Sequence, residues 1–162
     1  MNITDIFKAT NFYERYREIC VSFSNLDYTN SKPKKDEVLI LLEKIGYNSK
    51  YIHKDRVYMY KFEAGIYTFE YCFEFDGVCC CTYLNIKKSL SDWQFRNGLS
   101  GLLLQSNLYP KKTQNEIVGY FLLTPNLKLL ESALICLKPI LDDIRNSIIP
   151  YLVTDDIEFD IV

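Results

Sequence analysis

The sequence predicts an α+β fold: an antiparallel β-meander over about residues 57–86, packed on one face by N-terminal helices and a long kinked C-terminal helix over about 125–149. Three observations predict it. Apolar residues recur at helical spacing near both ends of the chain. Between them they alternate with a period of two, and an Asp-Gly pair punctuates the alternating part.

The first helix is read from Asn11 and Glu14, a capping-box-like pair, followed by Phe12, Tyr16, Ile19 and Phe23 on one stripe. The polar break "SNLDYTNSKPKKD" ends it. A second helix starts at Pro33, which the first helical turn tolerates, and carries Val38, Leu41, Leu42 and Ile45. Gly46 stands where a left-handed residue closes a helix.

From Val57 the segments "VYMYKFE", "IYTFEYCFEF" and "VCCCTYLNI" read as three strands. The turns are Ala64-Gly65 and Asp76-Gly77, the second a strong two-residue hairpin signal. Two-residue loops place Phe62 opposite Tyr67, Phe73 opposite Cys80 and Cys72 opposite Cys81. The aromatics from Tyr58 to Phe75 then share one face, which a slip of one residue would scatter. The opposite face collects Glu70, Cys72, Glu74, Cys79, Cys81 and Tyr83.

Ser91 and Asp92 can open a helix carrying Trp93, Leu99, Leu102 and Leu103, weakened by Gly98 and Gly101. "EIVGYFLL", residues 116–123, reads as a fourth strand in preference to a short helix capped by Thr113 and Glu116. Thr124 and Pro125 then start the long helix, whose stripe runs through Leu127, Leu130, Leu134, Leu137, Leu141, Ile144 and Ile148. Pro139 interrupts that stripe and is expected to kink it. The widened stripe fits a helix lying on a sheet better than a coiled coil.

At 162 residues the chain suits a single domain, 1–162, with an acidic C-terminal tail over about 154–162. A chain of this size buries roughly 70% of its unfolded surface, so its core needs no staples. The net charge of −2 argues against nucleic acid as a partner. No basic start followed by an apolar run marks a secretory signal, and no window has the length of a membrane span. The expectation is a cytoplasmic protein with reduced thiols.

The chemistry-bearing residues are few. Three cysteines in a row, Cys79 to Cys81, alternate across a strand and cannot all face one ion. With Cys72 and Glu74 they offer a weak metal site, or a Cys72–Cys81 disulfide. The expectation is ordinary strand residues, with Cys20 and Cys136 in helical cores, no metal and no cofactor. His53 lacks a partner nucleophile, and Glu70 reads as ion-paired to Lys61. No catalytic constellation emerges, so an enzyme is not expected.

The tail "VTDDIEFDIV" is the remaining feature, with Asp155, Asp156, Glu158 and Asp160 beside alternating apolar residues. It reads either as a terminal strand docked on the sheet or as an acidic surface for a basic partner. In size, composition and this "DDIEFD" run the chain resembles the immunity proteins of bacterial toxin–immunity systems. That resemblance implies a small domain that binds a cognate toxin domain and occludes its active site or substrate access. The expected contacts are Asp155, Asp156, Glu158 and Asp160, then Glu70, Glu74 and Tyr83 on the open sheet face. The order of elements is also similar to acidic chaperones of secreted effectors, although the helix over 33–45 departs from that pattern. A thiol-based metal or redox protein is the third alternative.

Overall fold

The ring-rich alternation from Val57 onward builds the meander. The computed structural model describes residues 1–24, 29–106 and 122–159. Its elements are α1 (Ile3–Ala9), α2 (Phe12–Ser22), α3 (Lys35–Lys44), β1 (Lys50–Ile52), β2 (Val57–Ala64), β3 (Tyr67–Phe75), β4 (Cys79–Lys88), β5 (Gln94–Gly98), α4 (Leu99–Gln105), β6 (Leu122–Leu123) and α5 (Leu127–Thr154). The strands form one antiparallel sheet in the order β1-β2-β3-β4-β5, and β6 pairs with the start of β4. The α+β class and the long C-terminal helix are as the sequence predicts.

One face of the sheet is the core. Tyr58, Tyr67, Phe69, Tyr71, Phe73 and Phe75 are buried there together with Leu134, Leu137 and Leu141 of α5 and Phe12 and Tyr16 of α2. Tyr71 sits at the centre, its ring edge-on to Phe69 at 4.9 Å. Tyr47, buried between α3 and β1, packs on Tyr60, Tyr71 and Phe73 and donates to Asp142 of α5 at 2.9 Å. Lys138 and Arg145 pair with the same carboxylate, so α3, the sheet and α5 meet at one charged knot.

The register differs from the expected one by two residues at both turns. Ala64 pairs with Tyr67 and Phe62 with Phe69, so the first loop is Gly65-Ile66. Gly65 takes a φ of +61°, as the first central residue of a two-residue hairpin requires. A Cβ there would lie 3.0 Å from the Leu152 carbonyl, so the α5 backbone also demands glycine. The second loop is longer, because Phe75 pairs with Cys80. Asp76 accepts from the backbone of Val78 and Cys79, both at 2.7 Å, and stabilises that wider turn. A shift of two keeps every side chain on its expected face but changes its partner. Cys72 therefore faces Tyr83, and Glu74 faces Cys81.

Helix ends are displaced by a residue or two. Asn126, not Thr124, caps α5, accepting from Leu129 at 3.0 Å. Pro33 precedes α3, which begins after Lys34. Asn11 is left-handed and contacts the Glu14 side chain, so it joins α2 to the unexpected helix α1 without capping the backbone. Pro139 and Pro150 both lie inside α5, on its exposed side. The carbonyls they leave unpaired, of Ile135 and Asn146, belong to exposed residues where water can bond them.

The segment after β4 is corrected more deeply. The helix expected at Ser91-Asp92 is instead strand β5, and α4 starts only at Leu99. Gly98 ends β5 with its α-carbon beneath the Tyr83 ring, where a Cβ would come within 3.4 Å. The strand expected over 116–123 is described only as Leu122–Leu123; residues 116–121 lie outside the described residues. No described helix is long and apolar enough to cross a membrane.

Candidate functional site

The site is built where four segments meet at one end of the sheet. The turn after β2 lies against the end of α5, since Gly65 approaches Leu152 and Val153. The turn over 89–93 hydrogen-bonds to it, from the Ser89 amide to the Ile66 carbonyl at 2.7 Å. The chain beyond α5 then crosses in front. Asp155 closes α5 in a left-handed conformation, and the Phe159 ring packs at a tilt against Trp93 at 4.5 Å and Phe95 at 5.5 Å.

The result is an open cleft of about 570 Å³ between the tail and β5, floored by Tyr67, Trp93 and Phe159 and edged by Lys88, Asp155 and Glu158. Its charged edge is ordered. The Tyr67 hydroxyl donates to Asp155 at 2.5 Å, and Lys88 reaches the same carboxylate at 3.1 Å. These two partners, the phenol first, hold the Asp155 carboxyl below its usual range. The Lys88 ammonium lies 5.4 Å above the Tyr67 ring and is held above its usual pKa, chiefly by Asp155.

The acidic tail is docked rather than free along its described length. Ile3 donates to the Glu158 carbonyl and Glu158 donates to the Met1 carbonyl, both at 2.8 Å, forming a single parallel bridge. Asp156 lies 3.8 Å from the N-terminal ammonium and its side chain is 77% exposed. Glu158 is exposed. The structure thus brings Asp155 and Glu158 to the rim of one cleft, while Asp156 turns to the N-terminal ammonium; Asp160 lies outside the described residues. The expected terminal strand is replaced by this bridge, made to the N-terminal segment.

Sequence reasoning missed the apolar part of this end. Of ten large apolar side chains exposed among the described residues, Met1, Ile66, Leu90, Trp93 and Val153 belong to the segments that meet here. Leu90 is fully exposed and has a φ of +58°. A left-handed backbone costs a branched residue about 1–2 kcal/mol, and Leu90 recovers nothing by burial. Its signal in the sequence is a lone leucine inside the turn formers of "KSLSD".

The second expected surface, the other face of the meander, has no described helix packed on it. Glu70 is 4% exposed there and pairs with Lys87 at 2.9 Å, not with Lys61, which contacts Glu63. Asn85 donates to Glu70 at 3.2 Å, and its own oxygen is buried without a partner. Tyr83 donates to Glu74 at 3.3 Å beneath the Arg96 guanidinium. Glu74 and Tyr83 are accessible to a partner, whereas Glu70 is already neutralised.

The cysteine run is strand packing. Cys80 is buried in the core beside Thr82, and Cys79 and Cys81 face the other way, half-buried. Burial pushes the Cys72 and Cys81 thiols up to about 11 and Cys20 to about 12, and it raises Cys79 and Cys80 as well. These groups stay protonated at neutral pH, which disfavours both metal ligation and nucleophilic attack. Six cysteines are free, and no cluster of three metal-ligating side chains exists among the described residues. Cys136 departs from expectation: it is exposed, one position round the helix from the buried Leu137. His53 is exposed, edge-on to Tyr51.

No protein-family model, no curated protein and no solved structure matches this chain.

Proposed function

We propose that this chain is a cytoplasmic immunity protein of a bacterial toxin–immunity system. It binds a toxin domain through the end of the sheet where the tail, the 89–93 turn and the α5 terminus meet. The observation that carries the reading is Leu90, a fully exposed leucine in a strained backbone beside the half-exposed Trp93. Leu90 gains nothing by burial in the isolated chain, and Trp93, although packed on Phe159, keeps part of its ring in solvent. Both suit an interface, where large apolar anchors ringed by polar groups carry most of the binding energy.

The rim supports the same reading. Glu158 stands exposed at the cleft with Asp156 exposed two residues before it, and negative charge there steers a basic partner into contact. A toxin that acts on nucleic acids or nucleotides has a basic cleft of its own, which such a rim would occlude. Glu74 and Tyr83 on the open sheet face are the second contact surface. In this role the chain has no catalytic step to perform.

The test is co-expression with toxin domains taken from the genes beside its own. The expected result is restored growth of the host and a one-to-one complex. Leu90→Ser with Trp93→Ser should remove both while the variant stays folded. Growth arrest that persists although a complex forms and the effector remains deliverable would replace neutralisation by chaperoning.

A further inference from the structure

We infer that the cleft between the tail and the 89–93 turn receives an arginine side chain of the partner, laid on Trp93 and Phe159 and paired with Glu158. This rests on the reading of this end as the partner-binding surface, and it names the chemistry that the surface selects.

The charge left over in the cleft decides the sign of the ligand. Lys88 and Asp155 cancel one another, at 3.1 Å, and the Tyr67 hydroxyl takes a further lone pair of the same carboxylate. Lys88 is the one cation lining the cleft among the described residues, so no free positive charge awaits an anion. Glu158 is different. Its backbone is fixed on both sides, by the Met1 carbonyl and the Ile3 amide, and its exposed carboxylate has no partner among the described residues. Asp156, two residues away, is mostly exposed but lies 3.8 Å from the N-terminal ammonium. A phosphate or an acidic side chain would find no unpaired cation among the described residues that line the cleft.

The floor decides the kind of cation. Trp93, 37% exposed, and the partly exposed Phe159 line the cleft with their rings tilted against each other by 54°. A cation gains from lying over such rings, most of all over tryptophan. The cleft already contains this arrangement once: Lys88 lies over the Tyr67 ring and bonds to Asp155. Trp93, Phe159 and Glu158 line the same cleft and supply the same two elements, ring and carboxylate. A guanidinium fits this pairing better than an ammonium, since it is planar, stacks on rings and forks onto a carboxylate. The exposed Gln94 side chain gives it a further acceptor.

Trp93 is the only tryptophan of the chain, so its fluorescence reports on this cleft alone. The experiment titrates the full chain with N-acetyl-arginine amide, with N-acetyl-norleucine amide and with N-acetyl-glutamate amide. The arginine probe is expected to change the emission saturably, and the other two are not. Glu158→Gln, a surface change, should weaken the arginine probe about threefold, the size of an exposed ion pair. An arginine probe without a saturable response, an unchanged affinity in Glu158→Gln, or an equal response to the glutamate probe would each overturn the inference. A partner complex that forms while the arginine probe stays silent defeats this inference alone. A probe that binds while no partner is neutralised defeats the functional reading alone.

Discussion

The hydroxyl of Tyr71, at the centre of the sheet, donates to the carbonyl of Leu141 in α5 across 2.7 Å, and both residues are buried. It is a direct polar tie between the two layers. Burial also holds the phenol well above its usual pKa, so the donor stays protonated. Tyr71→Phe removes one neutral hydrogen bond and leaves the ring in place, so it should cost about 1 kcal/mol. Tyr71→Ala also empties the site and should cost about 3–5 kcal/mol. Urea denaturation of the two variants measures the difference; equal losses would mean that the ring contributes nothing beyond its hydroxyl.

Glu70 and Lys87 make the sharpest electrostatic prediction. The carboxylate side chain is 6% exposed and the lysine 44%. Lys87→Met strands a buried charge, at a cost of about 3 kcal/mol. Glu70→Gln with Lys87→Met removes both charges and should recover much of that loss. A double variant no more stable than the single one would show that the pair does not act as a unit.

Asp155 ties the end of α5 to β3 and β4, and its acidity gives that tie a pH window. The carboxyl is held below its ordinary value of 3.8, so its contribution is complete above that value and fades as the pH falls through the folded one. Lys88 is raised above 10.5, so its share is complete below that value and fades as the pH rises through the folded one. Asp155→Asn keeps a residue that tolerates the left-handed cap. Wild type should therefore melt higher than Asp155→Asn near neutrality, and the gap should narrow as the pH falls below the ordinary carboxylate range and as it rises above the ordinary lysine range. A gap independent of pH would assign the effect to the cap and not to the charges.

The thiols should react in order of exposure. Brief iodoacetamide treatment followed by mass mapping should label Cys136 first. Cys20 and Cys80, both buried and raised in pKa, should label only after unfolding. Chelator should leave the melting temperature unchanged, because alternation sends Cys80 away from Cys79 and Cys81. Fast labelling of Cys80 in the native protein would mean that the core opens readily.

The parts of the fold legible in the sequence are those where many residues repeat one period. The aromatic face of the meander and the α5 stripe survive errors of detail because every ring or leucine votes for the same face. Turn lengths do not repeat. Ala64-Gly65 and Asp76-Gly77 both suggest two-residue loops, but the α5 backbone against Gly65 and the Asp76 side chain bonds fix the loops elsewhere. Helix α1 had its signal in Asn2, Ile3, Ile6 and Phe7, but the stripe is too short to stand out. The cleft was legible only in halves. The carboxylates of the tail were visible in sequence; Leu90 and Trp93 became part of the same place only when the 89–93 turn was brought beside it. No local pattern encodes that meeting.

The bridge between Asn2 and Glu158 also sets a clock. Ile3, Ile6 and Phe7 are buried against partners that include α5, at the opposite end of the sequence. Phe7 meets Phe12 and Tyr13 of α2 early, but the side of α1 that α5 covers stays open until α5 is made. At a synthesis rate of ~5–20 residues per second, the interval between the first contact partner and the last is roughly 8–30 s. For that time one apolar face of α1 lacks its cover. Cells short of holding factors, or translating slowly in the cold, should therefore lose this protein to aggregation before it ever meets a partner.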